Sequence, residues 1–151
     1  MIVNPELLAA LLDTTSEFAK EMLEKCNDFY PFGASIGPDQ QIGLDAAYDG
    51  DEHPDPRELY QMLVQGFSEG AANGKYIAVA IAANVNIPSE YQPTYPDGIR
   101  VLIESRDYSR FIYLPFRFGP VSPFARLLRH PRPVEYGEMF AVEVGHGLFT
   151  Q

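Results

Sequence analysis

Residues 76–87, with the sequence YIAVAIAANVNI, decide the fold. Large branched side chains alternate here with a row of small ones, Ala78, Ala80 and Ala82. Because successive side chains of a strand point to opposite faces, this stretch is apolar on both faces, which is typical of a central strand. The sequence therefore predicts a central strand whose alanine face lets a helix approach closely.

Two helices are predicted before this strand. Residues 5–27 have apolar side chains at helical spacing, and Asn4, followed by a proline, fits the N-cap position. Residues 56–73 begin in the same way, with Asp55 as the N-cap. Both helices are therefore expected to have a proline as the first helical residue and a side-chain N-cap directly before it.

The remaining pattern predicts the class of the fold. Further strands are expected at 33–37, 41–48, 99–105, 110–118 and 138–144, with a short helix at 123–130. This order predicts an α+β fold, with a mainly antiparallel sheet of about five to six strands and two main helices on one face. At this length the chain 1–151 is expected to form a single domain, and Gly145-His146-Gly147 predicts a mobile tail.

Charge is unevenly distributed along the chain. The formal net charge is −10, from 21 acids and 11 Lys and Arg residues. Residues 1–99 have a net charge of −12, whereas residues 100–132 contain seven arginines and two acids, a net charge of +5. We call residues 100–132 the arginine block. The overall negative charge repels phosphate, which argues against a nucleic-acid partner.

Aromatic residues interleave with the arginine block. The candidate binding residues are Arg100, Arg110, Tyr113, Phe116 and Arg117. Arginines and aromatics on a sheet can bind single-stranded nucleic acid. The favoured interpretation is that these arginines pair with the acidic first two-thirds of the chain, within a monomer or across a dimer. The expected partner is therefore a protein, either a second copy or another chain.

The densest polar cluster is the segment 49–55, DGDEHPD. Asp49, Asp51 and His53 are candidate ligands for a divalent metal. The favoured alternative is a solvated turn, since Asp55 and Glu58 are already explained as a capping box for the second helix. No catalytic motif surrounds any of the three histidines, so no catalytic residue and no cofactor are predicted.

The sequence also bears on localisation. It contains no apolar run near 18 residues, no basic region before an apolar stretch at the N-terminus, and one cysteine, Cys26. A lone thiol fits a reducing compartment. We therefore expect a cytoplasmic protein without a membrane partner.

Several segments together resemble a family of small, acidic, uncharacterised bacterial proteins. They are FYPFGA at 29–34, DGDE at 49–52, DGIRV at 97–101, LPF at 114–116 and VEYGEMFA at 134–141. The resemblance spans most of residues 18–141. It implies a bacterial origin and no established activity. The order of elements also resembles roadblock-type regulatory modules, a fold-level analogy that does not establish function.

Three functions are compatible with these features. The first is a non-catalytic interaction or regulatory module, expected to be a homodimer. The second is an immunity or inhibitor protein for a basic toxin, since acidity favours electrostatically steered capture of a basic partner. The third is a metal-assisted hydrolase that uses Asp49, Asp51, Glu52 and His53.

Overall fold

The computed structural model describes residues 2–46 and 53–150. The helices within these ranges are α1 Pro5–Cys26, α2 Pro56–Ala72 and α3 Pro123–Leu127, with a short 3-10 turn at Ser89–Tyr91. The strands are β1 Phe32–Ile36, β2 Ile42–Asp45, β3 Ala78–Asn86, β4 Asp97–Ser105, β5 Tyr108–Phe118, β6 Val134–Tyr136 and β7 Phe140–Glu143. The predicted α+β class is confirmed.

All strands pair antiparallel in one sheet, in the order β2-β1-β3-β4-β5-β6, and β7 also pairs with β5. The predicted central position of β3 is confirmed. The outer edge of β5 is shared, because β7 pairs with residues 110–113 and β6 with residues 116–118. The short β6 is the strand that the sequence pattern did not predict.

Helix α1 packs on the alanine face of β3. Ala78, Ala80 and Ala82 are fully buried in one core cluster with α1 residues such as Leu11 and Leu23. The same cluster takes in alternate residues of β4 and β5, including Ile99 and Ile112. The small alanine side chains therefore bring a 22-residue helix close to the sheet, as the sequence predicted.

Helix α2 packs on the opposite face, so the expectation that both helices lie on one face is wrong. Leu63 and Phe67 of α2 share a second core cluster with Val79 and Ile81 of β3. Gly33 of β1 makes room for this contact, since a Cβ atom there would lie 2.5 Å from the Phe67 ring. The physical reason is that β3 is apolar on both faces, so each face needs its own cover.

The C-terminal segment is docked rather than mobile, which corrects the prediction of a mobile tail at Gly145-His146-Gly147. The buried carboxylate of Glu104 accepts hydrogen bonds from the backbone N–H groups of Gly147 (3.0 Å), Leu148 (2.7 Å) and Phe149 (2.6 Å). The Leu148 side chain is only 3% exposed and packs in the α2-side cluster. We call this arrangement the Glu104 latch.

No helix within residues 2–46 and 53–150 combines the length and the apolar character that a bilayer span requires.

The short helix α3 ends earlier than predicted, because Arg129 adopts a left-handed backbone conformation (φ 57°) that ends the helix.

Candidate functional site

The five candidate binding residues do not form one cluster. Arg100 of β4 lies opposite Tyr113 of β5 in the strand register, so these two are neighbours on the α2 side of the sheet. Arg117 follows on the same face of β5 but pairs at the β6 end. Arg110 and Phe116 have the other strand parity, and Phe116 is a core residue on the α1 side, 2% exposed.

Arg100 is held by aromatic rings rather than by an acid. Its guanidinium carbon lies 4.4 Å from the centre of the Phe111 ring and 5.3 Å from the centre of the Tyr60 ring. Its Nε is buried without a hydrogen-bond partner, and it forms no ion pair with any residue that the structure describes. The positive charge of Arg100 therefore has no counter-charge from the described part of the protein.

The neighbouring Tyr113 is almost fully buried. Burial raises the pKa of Tyr113, and the positive charge of Arg100 opposes that shift. The Tyr113 ring stacks on Phe140 at 5.2 Å and lies 5.8 Å from Tyr91, centre to centre. Tyr91 and Phe140 therefore pack against Tyr113 from the β7 side.

A cavity of about 350 Å³ lies between the N-terminus of α2 and strands β3 and β4. The described residues that line it are Pro31, Pro56, Arg57, Tyr60, Gln61, Ala83, Asn84, Val85 and Arg100. Arg57 is exposed at the second position of α2, and Asp55 caps the helix by accepting from the Arg57 N–H at 2.9 Å. Two arginines therefore line the same cavity at the positive end of a helix.

The other two candidate arginines are paired, but not as expected. Arg110 Nη2 lies 2.9 Å from Glu143 Oε1, and Arg117 Nε lies 2.5 Å from Glu135 Oε2. Glu135 raises the pKa of Arg117 through this hydrogen bond. Both partners belong to β6 and β7 rather than to residues 1–99. Within the described chain, the arginine block therefore does not neutralise the acidic first two-thirds of the sequence.

Helix α3 presents apolar side chains to solvent. Phe124 is 69% exposed, Leu127 is 78% exposed and Leu128 is 52% exposed. Arg126 and Arg129, also exposed, lie among them and form no ion pair within residues 2–46 and 53–150. We call these five residues the α3 surface. Scattered exposed apolar residues are ordinary, whereas a contiguous group of large ones marks an interaction site.

The segment that follows α3 is anchored to the end of α1. The Asn27 side chain donates to the Arg132 carbonyl at 2.9 Å and accepts from the Arg132 N–H at 2.6 Å. Ser122 caps α3 by accepting from the Ala125 N–H at 3.1 Å. The chain is therefore tied to the end of α1 three residues after the α3 surface. Sequence reasoning missed this surface because apolar side chains at helical spacing predict burial. The available signal was charge, since residues 108–134 contain no acid that could pair with the arginines of this segment.

The predicted metal site cannot be placed as a whole. Asp49 and Asp51 lie outside the described residues, and so does Glu52. His53 is described and exposed. Among the residues that are described, no group of three or more His, Cys, Asp or Glu side chains could hold a metal ion. The metal-assisted hydrolase stays a prediction.

Neither the family models, nor the curated proteins, nor the solved structures contain a match to this chain. The resemblance to small bacterial proteins therefore stays a prediction, and function has to be argued from the geometry.

Proposed function

We propose that this chain is a non-catalytic protein-interaction module that forms a homodimer through the α3 surface. The observation that supports this most directly is the exposure of Phe124, Leu127 and Leu128 on one short helix. Burying neighbouring large apolar side chains against a partner protein lowers the free energy, because it removes them from water. Phe and Arg are both enriched in protein interfaces. A second copy is the occupant that the charges favour.

Charge complementarity supports a second copy as the partner. Asp13, Glu17 and Glu24 are exposed on α1 and fall on one stripe of the helix, because 3.6 residues make a turn. Glu17 pairs with Lys20 at 3.3 Å, whereas Asp13 and Glu24 form no ion pair within the described ranges. This acidic stripe is the complement that Arg126 and Arg129 lack within their own chain.

The position of the two surfaces fits a two-fold axis. The Asn27–Arg132 hydrogen bonds tie the end of α1 to the segment that follows α3 in the same monomer. In a two-fold dimer, if the α3 surface of one copy contacts α1 of the other, the reverse contact forms as well. The two symmetry-related contacts between α3 and α1 then form one interface. Their combined buried area is larger than a single five-residue helix could supply.

The test is the oligomeric state, measured by sedimentation velocity and light scattering. The wild type is expected to be a dimer, and Phe124→Ser combined with Leu127→Ser is expected to give a monomer. Both side chains are exposed, so the monomeric variant should keep its fold and its melting temperature. Leu44→Ser, at a 48% exposed apolar position on β2, is the matched control and should remain dimeric.

Charge reversal tests the proposed arrangement. Arg126→Glu with Arg129→Glu should weaken the dimer, Asp13→Lys with Glu24→Lys should weaken it similarly, and the combined variant should regain affinity. Raising the ionic strength from about 0.01 M to about 1 M shortens the screening length from about 30 Å to about 3 Å, so the dimer should weaken. At a protein concentration of about 1 mM, even a dimer with a dissociation constant of about 1 mM is half formed. A wild type that stays monomeric at this concentration would refute the proposal.

A further inference from the structure

We propose that the cavity beside Arg57 and Arg100 binds a small organic anion, namely an apolar body that carries one carboxylate or one phosphate. This site lies on the α2 side of the sheet and does not depend on the α3 surface. The ligand supplies the counter-charge that Arg100 does not find among the described residues.

The charge of the lining carries the first step. Arg57 and Arg100 both line the cavity, and none of its described lining residues is acidic. This is unusual in a chain of net charge −10. Arg100 is half-buried beside the hydroxyl of Tyr113, which is a neutral acceptor, whereas a guanidinium removed from water is normally paired with an acid. An anion in the cavity would stabilise both cations.

The geometry of Arg100 carries the second step. The guanidinium carbon lies 4.4 Å from the centre of the Phe111 ring and 5.3 Å from the centre of the Tyr60 ring, so two aromatic rings already border it. A new partner must therefore reach the N–H groups that these rings leave uncovered. Carboxylates and phosphates bind arginine in this way, often through two parallel hydrogen bonds. Because the rings already hold Arg100 in place, little side-chain freedom is lost when the anion binds.

The rest of the lining defines the body of the ligand. The non-charged walls are mostly apolar, from Pro31, Pro56, Tyr60, Ala83 and Val85. A volume of about 350 Å³ is at the lower end for small-molecule sites, which fits one ring and one anionic group. The N-terminus of the 17-residue helix α2 lies at the same wall and favours negative charge.

Calorimetric titration with two probe anions tests the proposal. Benzoate and phenyl phosphate are the probes, and benzyl alcohol is the uncharged control with the same ring. We expect saturable binding of at least one anion with a dissociation constant of about 1 mM or tighter, and no measurable binding of benzyl alcohol. Saturation by benzoate alone identifies a carboxylate site, and saturation by phenyl phosphate alone identifies a phosphate site.

Two variants locate the binding. Arg57→Gln and Arg100→Gln should each raise the dissociation constant of the probe at least tenfold. Arg106→Gln, at the exposed β4–β5 turn, should leave the dissociation constant unchanged. Arg100→Gln can also loosen Phe111, so the exposed Arg57 is the deciding position. Failure of both anions to saturate at about 10 mM, or equal affinity in wild type and Arg57→Gln, would overturn the proposal.

Discussion

The Glu104 latch gives the sharpest test of the structure. Glu104 is fully buried, and its two oxygens accept three backbone N–H groups, from Gly147, Leu148 and Phe149. Ser109 Oγ also donates to it at 3.3 Å. We expect Glu104→Gln, which keeps the shape of the side chain, to destabilise the protein substantially.

The magnitude follows from what glutamine cannot do. Its amide has one acceptor oxygen, so at least one buried N–H group loses its partner at a cost of about 1–3 kcal/mol. The remaining hydrogen bonds also lose the strength that a charged acceptor gives them. The cost is limited because the segment can detach, which exposes Leu148 and forfeits about 1.5–3 kcal/mol of burial. We therefore expect a loss of about 2–4 kcal/mol in the free energy of unfolding.

Urea denaturation followed by circular dichroism measures this loss. A fall in melting temperature of about 2–4 °C per kcal/mol should accompany it in a chain of this size. Glu90→Gln is the matched control, since Glu90 is exposed, and it should change stability by less than about 0.5 kcal/mol. Hydrogen exchange at the amides of 147–149 should accelerate in Glu104→Gln and not in the control.

Removal of residues 146–151 separates the latch from other effects of the substitution. If Glu104 stabilises the fold through this segment, Glu104→Gln should cost less than about 0.5 kcal/mol in the shortened chain, a non-additivity typical of residues in contact. Full additivity of the two changes, or a cost below that value in the complete chain, would refute the reasoning.

Two further predictions concern packing, and both are measured as free energies of unfolding by urea. Gly33→Ala should lose about 1–3 kcal/mol, because its Cβ would lie 2.5 Å from the Phe67 ring, whereas Gly43→Ala meets nothing within 4 Å and should be close to neutral. Ala80→Leu should lose at least about 1–3 kcal/mol because α1 lies against it, and the exposed Ala72→Leu should not. Equal stability within either pair would contradict the packing described here.

Local signals in the sequence predicted the main elements well. Asn4 and Asp55 were expected to cap α1 and α2, and the structure has both caps, with Asn4 Oδ1 accepting from the Glu6 N–H at 2.8 Å. The alternation in residues 76–87 correctly predicted the central strand and the helix on its alanine face. These features depend on neighbouring residues, which is why one sequence is enough to find them.

Features that depend on distant residues were missed. Apolar residues on both faces of β3 do not say which helix covers which face, so the side taken by α2 could not be predicted. Glu104 and Leu148 are 44 residues apart, and nothing near either residue indicates the hydrogen bond between them. The exposure of Leu127 was likewise not predictable, because an apolar residue at helical spacing predicts burial. The pattern does not show whether that burial occurs within the chain or against a partner.

Of the candidate site, the residue types were predictable and their grouping was not. The sequence singled out Arg100 and Tyr113, which the strand register does place together. It could not add Arg57 or Tyr60, because these come from α2, whose face was predicted wrongly. The cavity between α2 and β4 exists only because α2 lies on the same side of the sheet as Arg100.

Both edges of the sheet consist of short strands. On one side β5 is covered along residues 110–113 by the four-residue β7 and along residues 116–118 by the three-residue β6, which form the edge there. In the described part of the structure, β2 is the opposite outermost strand, four residues long and containing Gly43. A short strand is a common defence against edge-to-edge aggregation. Substitutions that lengthen or flatten β2, β6 or β7 would therefore be expected to promote edge-to-edge association more than substitutions in the interior strands β3 and β4.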